Sequence, residues 1–335
     1  MNTAAALLLT AAASLAQAET PALERFSQRQ LHMGVEFEVV LYAPDRTAAD
    51  KGLAAAFERI AELDRILSDY DAESELSRLS ASSPSKEPVS LSADLWTVLA
   101  HAQDVSEQSG GAFDVTAGPL TKLWRRARRQ KEPPTEEQIA RALAAVGYKQ
   151  LELDAERHTA RLLKPEMRLD LGGIAKGYAA DEALATMGKL GIERALVRAS
   201  GDIAVSQPPP NEKGWKVGIA PLDPDQTPTQ FVLLASQAIS TSGDSRQHLV
   251  VSGKRYSHII DPRTGWGIEG RRSVTVIARR GMEADSLATA ISILDPASGM
   301  RLIEATPNAS ALIVVEQDGS EQPYRSQRFS HDGSN

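Results

Sequence analysis

The sequence predicts an α+β fold, and three observations carry that prediction. Strand-like and helix-like segments come in blocks instead of strict alternation, which argues against a doubly wound parallel sheet. Leu249-Val250-Val251, then Ser252-Gly253, then Arg255 to Ile260 reads as a hairpin, a connection that joins antiparallel strands. The glycine turn in Asp170 to Asp181 follows neither GxGxxG nor GxxxxGK[ST], the phosphate loops of parallel α/β sheets. At 335 residues the chain can bury one large or two modest cores.

In order along the chain, Ala4 to Leu15 is an apolar run, and Ala16-Gln17-Ala18 has the small residues of a cleavage site. Residues 1–18 therefore read as a signal peptide, although no Lys or Arg precedes the run. No cysteine follows it for lipid attachment, so the expected protein is periplasmic or otherwise exported and soluble. Residues 19–317 are expected to form one domain, and 318–335 a loose polar tail.

Gln30 to Tyr42 alternates as a first strand, with Met33-Gly34 at its start. Thr47 to Leu67 is an amphipathic helix whose stripe is Leu53, Phe57, Ile60, Leu63 and Leu67, stopped by Ser68-Asp69-Tyr70-Asp71. Ser80 to Ser90 reads as a surface loop. Ser92 to Ser109 is a helix ended by Gly110-Gly111, and Thr135 with Gln138 forms a capping box that opens another. From Tyr148 onward strands prevail: 151–153, 160–163, 167–171, 192–205, 215–219, 231–239, 273–278 and 311–315. Between them, Ile174, Tyr178, Leu184, Met187 and Leu190 recur at helical spacing before Gly191, and Asp285 to Leu294 is a short apolar helix.

Composition narrows the chemistry. A net charge of −7 disfavours a nucleic-acid binder. The absence of cysteine excludes disulfides, thiolate metal sites and thiol nucleophiles. Six histidines form no HxH or HExxH pattern. Four places remain. The two glycines after Asp170 sit where a strand meets a helix, so backbone amides and the helix dipole can face an anion, or simply make a tight turn. His258 precedes the turn Asp261-Pro262-Arg263-Thr264-Gly265. Asp285 and Thr289 are i and i+4, an oxygen pair suited to a hard cation such as Mg²⁺, or else a helix N-cap and an apolar-face threonine. Gly111 to Leu120 could line a planar ligand or be an ordinary loop. Thr241-Ser242-Gly243-Asp244 reads as a turn, and Trp124 to Arg129 as a solvated basic helix face.

The order of these motifs closely resembles the ApbE family, the FAD:protein FMN transferases. The resemblance runs from about residue 30 to 316. It implies a T-fold-like single catalytic unit of two lobes, with largely antiparallel sheets and flanking helices. It further implies FAD bound in a cleft with a divalent cation, usually Mg²⁺, against its pyrophosphate. Asp285 and Thr289 match the side-chain metal ligands, and Gly173 the position that lends a carbonyl. Met33, Tyr70, Ala112, Phe113, Asp114, Asp170, Lys176, His258 and Ile259 match FAD contacts, and His258 also matches the proposed catalytic base. The reaction implied is transfer of FMN to a threonine of an acceptor protein with release of AMP. The rivals are hydrolysis of FAD and simple flavin binding. Two departures stand out. Ser200 in Arg198 to Asp202 replaces part of a Gly-Gly-Asn-like turn, and Ala288 stands where some members carry a second acid. The Arg-rich run after Trp124 is a further difference.

Overall fold

The computed structural model describes residues 22–223, 225–243, 248–251 and 253–330. The expected signal peptide and Asp244 lie outside the described residues. The fold is built on an eight-stranded sheet in which every neighbouring pair is antiparallel. Its strands are β1 (Glu24–His32), β2 (Val35–Ala43), β6 (Ala195–Ala199), β7 (Asp202–Val205), β10 (Gln237–Gly243), β14 (Arg272–Ala278), β15 (Ser310–Gln317) and β16 (Ser320–Arg325), in that spatial order. Helices α1 (Arg46–Leu67), α6 (Ala175–Lys189) and α7 (Gly281–Ile293) pack on one face, with α8 (Pro296–Ala305) beside α7. The hairpin of β8 (Trp215–Gly218) and β9 (Phe231–Leu234) covers the other face.

Beside this layer lie α2 (Glu75–Ala81), α3 (Ala93–Gln108), α4 (Gly118–Gln130) and α5 (Glu136–Ala144), with α2 and α3 sharing its core. With them goes a small sheet of β3 (Val89–Ser90), β5 (Thr159–Leu162) and β4 (Leu151–Asp154). A third sheet, β11 (His248–Val251), β12 (Lys254–Ile260) and β13 (Gly267–Glu269), docks through β12 on α4 and α7. The expected α+β class with largely antiparallel sheets is the one observed.

Side chains on a strand alternate between faces, and the two cores obey that period. Val39, Leu41, Ala204, Ala238, Val276 and Ala311 join the helix-side core. Their chain neighbours Val40, Val205, Ile239, Ile277 and Leu312 join the core under the β8–β9 hairpin. By the same parity Asp202 and Ser240, paired in register, face the helices. Two buried polar residues thus stand beside apolar ones on this inner face.

Several expectations are corrected. The first strand is a hairpin: β1 precedes it, and Met33 (φ 49°) and Gly34 (φ 73°) form the left-handed two-residue turn that right-twisted strands favour. Residues 192–205 divide into β6 and β7 at Ser200-Gly201, and residues 231–239 into β9 and β10 near Ser236 (φ 51°). Residues 167–171 are not a strand but an extended segment with one parallel bridge, Ala117 to Arg168. The span 80–90 contains the end of α2 and β3. Thr241 to Gly243 is the end of β10, not a turn. The expected loose tail forms β16, and Phe329 is buried beyond it. Trp124 is fully buried and its Nε1 donates to the Gly265 carbonyl at 2.8 Å, so the basic run is only partly a solvated face.

The capping box is present: Gln138 N donates to Thr135 Oγ1, and Thr135 N to Gln138 Oε1. Thr135→Ala is expected to cost about 1 kcal/mol, read as a lower denaturation midpoint with unchanged activity.

Candidate active site at a helix crossing

The site is built where α6 crosses α7. A β-carbon at Gly177 would stand 2.1 Å from the Gly281 carbonyl oxygen, and one at Gly281 would stand 2.5 Å from that of Gly177. Only two glycines allow this backbone contact, and it brings each helix's carboxylate to the other's N-terminus. Asp181 of α6 accepts from Gly281 N (2.7 Å) and Met282 N (3.0 Å), the free first amides of α7. In return, Oδ2 of Asp285 accepts from Gly177 N at 3.2 Å. Asp285 is therefore not the N-cap of its own helix. It lies in the second turn, because α7 starts at Gly281 under the cap supplied by Asp181. Gly177→Ala is expected to destabilise the protein by about 2–3 kcal/mol through forced separation of the helices, measured by urea denaturation.

The Gly177 amide, turned toward Asp285, leaves the Gly173 carbonyl without a hydrogen bond among the described residues. A β-carbon at Gly173 would lie 2.7 Å from Thr289 Oγ1, so that hydroxyl is packed against the turn. Neither Thr289 Oγ1 nor Asp285 Oδ1 has a hydrogen-bond partner among the described residues. A carboxylate, a hydroxyl and a carbonyl oxygen are left open together, the donor chemistry that a hard divalent cation takes. Among the described residues no group of three His, Cys, Asp or Glu side chains could hold a metal. A cation here would thus depend on this mixed set completed by oxygens from a ligand or water.

Electrostatics at the crossing are strained by burial. Asp285 is 2% exposed, and its carboxyl is pushed up to about 7 by burial and by the charge of Asp202, against the pull of Lys176 and the Gly177 amide. Lys176 Nζ meets Gly172 O (2.8 Å), Asp202 Oδ2 (3.2 Å) and Asp285 Oδ2 (3.3 Å). Burial alone would lower the Lys176 ammonium, but the two carboxylates outweigh it and hold it above the ordinary lysine value. Two of its N–H groups donate to Gly172 O and Asp285 Oδ2, and the Asp202 carboxylate lies within ion-pair distance.

On the other side of the 170–174 turn lies a second cluster. Asp170 Oδ1 accepts from Gly172 N (2.8 Å), fixing the turn, while Oδ2 accepts from Thr121 Oγ1 (2.7 Å) and Arg125 (2.8 Å). Arg125 also pairs with Asp69 and lies 4.5 Å from the ring centre of Tyr70, which is 77% exposed. A rigid cation thus backs an open aromatic face. Asp170 N bonds Val115 O at 2.8 Å, tying the 111–120 run to the same wall. Within that run Ala112 and Phe113 are buried, and Asp114 takes hydrogen bonds from Thr116 and from Tyr148 N. A ligand would meet their backbone more readily than their side chains. Met33 tops the β1–β2 turn, its amide bonded to Asp64 of α1, the helix that leads into Tyr70.

His258 is half-buried on β12. There the pairing with β13 slips between Tyr256 and Ile260, a bulge of the kind that redirects side chains beside functional sites. Ile259 follows, its amide bonded to Ser257 Oγ at 3.0 Å. The structure thus gathers Gly173, Lys176, Asp285 and Thr289 at the crossing, and Asp170 and Tyr70 around Arg125, with the 112–114 run tied to Asp170 through Val115. His258 and Ile259 stand on the sheet that docks against α4 and α7. Sequence reasoning missed Arg125, Asp181 and the pair Asp202–Ser240. The available signal for Asp202 was an acid interrupting a buried apolar strand.

Fold and site together define an α+β protein that opens a carboxylate, a hydroxyl and a carbonyl oxygen beside a helix N-terminus. The chain belongs to the ApbE family, whose sequence pattern matches residues 33–313. It is 33% identical over 302 residues to the FAD:protein FMN transferase of Vibrio cholerae, covering 89% of each chain. It is 33% identical over 260 residues to that of Haemophilus influenzae, covering 76% of this chain and 75% of the relative. Among solved structures, the flavin transferase ApbE from Vibrio cholerae aligns with a TM-score of 0.82 and 31% identity, over 92% of this chain and 99% of that one. The apo flavinyl transferase ApbE of Pseudomonas stutzeri aligns at 0.79 and 28% identity, over 91% of this chain and 95% of that one.

Proposed function

We propose that this protein is an exported flavin transferase that moves FMN from FAD to a threonine hydroxyl of an acceptor protein and releases AMP. The observation that carries this reading is the trio of open oxygens, Asp285 Oδ1, Thr289 Oγ1 and Gly173 O, beside the start of α6. These three would hold the divalent cation, Mg²⁺ being the expected one. Bound there, the ion supplies Lewis-acid neutralisation of the pyrophosphate oxygens.

The chain's own groups do the rest. Tyr70, stiffened by Arg125, offers a stacking face for a ring of FAD, and the 112–114 backbone with Met33, Asp170 and Ile259 lines the nucleotide. The N-terminal dipole of α6 favours the phosphate anions. His258 takes the proton from the acceptor hydroxyl as that oxygen attacks the phosphorus on the riboflavin side. A new O–P bond forms, the P–O bond to the AMP phosphate breaks, and AMP leaves with the electron pair.

The mature protein, incubated with FAD, Mg²⁺ and an acceptor domain bearing the target threonine, should add one FMN to the acceptor and release one AMP per modification. Intact mass and nucleotide chromatography measure the two. AMP without acceptor mass gain would mean hydrolysis, and no AMP above an EDTA control would leave only flavin binding. N-terminal sequencing of exported protein tests cleavage after Ala18.

A further inference from the structure

We infer that Asp202 is a positioning residue for the cation site, acting through Lys176 by holding this ammonium when a divalent cation draws on Asp285. The inference rests on the cation reading above. It starts from an unbroken line of polar contacts through a buried region. Ser240 Oγ donates to Asp202 Oδ1 at 2.5 Å, Asp202 Oδ2 pairs with Lys176 Nζ at 3.2 Å, and Lys176 Nζ pairs with Asp285 Oδ2 at 3.3 Å. Asp202 is only 5% exposed and Ser240 1%.

Two buried carboxylates share one ammonium, and the two distances are nearly equal. A buried charge persists only when paired. While no cation is bound, Lys176 balances Asp285. A dication at Asp285 repels the ammonium, which then needs a second carboxylate within reach, and Asp202 is the one already touching it. The strand pairing holds Asp202 in place, since it lies in β7, in register with Ser240 of β10, and both face α6 and α7. Without the Asp202 charge, Lys176 would settle on Asp285 alone, and a cation would have to break that pair. Outer partners of metal ligands act in this way, and losing one costs roughly 10–100-fold in metal affinity.

Mn²⁺ titrated into the mature protein with FAD and no acceptor, with free Mn²⁺ read by electron paramagnetic resonance against FAD alone, gives the affinity without reference to turnover. Asp202→Asn keeps the shape and the Ser240 contact and is expected to weaken Mn²⁺ binding about tenfold. Lys176→Met should tighten it, and should lower the melting temperature in EDTA with recovery on adding Mn²⁺. In the Lys176→Met background, Asp202→Asn should have little further effect. An equal loss in both backgrounds would show a plain field effect and overturn the inference, as would unchanged affinity in the single variant. Should Asp202→Asn fail to fold, Ser240→Ala removes the contact that fixes Asp202 and keeps every charge. A smaller loss in the same direction supports the inference, and no change overturns it. Absence of Mn²⁺ binding by the unmodified protein would remove the cation reading itself. Binding that is blind to Asp202 removes only the present inference.

Discussion

Asp285→Asn loses divalent-cation-dependent FMN transfer, with turnover falling by about a thousandfold, the upper end of what one electrostatic stabiliser of a transition state supplies. The substitution keeps an oxygen for the Gly177 amide, so the crossing of α6 and α7 stays capped. What it removes is the negative charge beside two weaker oxygens, Thr289 Oγ1 and Gly173 O. Ala288 occupies the neighbouring position, and Asp202, the acid whose charge reaches Asp285, is held by Lys176 and Ser240. The measurement is AMP release over a range of Mg²⁺ concentrations, alongside a thermal melt. Turnover that survives with the same Mg²⁺ dependence would move the cation site elsewhere.

His258→Gln lowers the transfer rate by about 10²–10⁴-fold, the range a positioned general base contributes. Mn²⁺ affinity should change little, since the loss is of a proton acceptor and not of a ligand oxygen. A base acts in its deprotonated form, so the unmodified enzyme should lose rate at acid pH and the variant should lack that acidic limb. Retention of the limb would assign the proton to another group. The register of β12 against β13 shifts over the stretch that carries His258. An unbulged strand would carry residues 256–260 past β13 in simple alternation.

Features that depend on neighbours in the chain were legible in the sequence. The stripe of α1, the capping box at Thr135 and the β11–β12 hairpin each draw on residues within a few positions, and each formed as expected. The hairpin of β1 and β2 was missed at its first strand, because β1 is largely exposed and carries no apolar alternation. The start of α7 was misplaced because its N-terminal cap comes from Asp181, a hundred residues earlier, and no local residue announces it. Asp202 looked like a turn residue since its partners, Lys176 and Ser240, lie on other elements. The site residues themselves were named through family resemblance, not through spacing. Asp285 and Thr289 at i and i+4 could equally have been a cap and a packing residue. Only the crossing of two glycines shows why their oxygens stay open.

That crossing also decides how the protein opens. The amides of Gly177, Gly281 and Met282 are each held by a carboxylate on the opposite helix, and no side chain cushions the contact. Neither helix can fray at its start without stripping the other. Their protons should therefore exchange with deuterium at one shared slow rate, set by cooperative unfolding of the sheet-and-helix layer and not by local breathing.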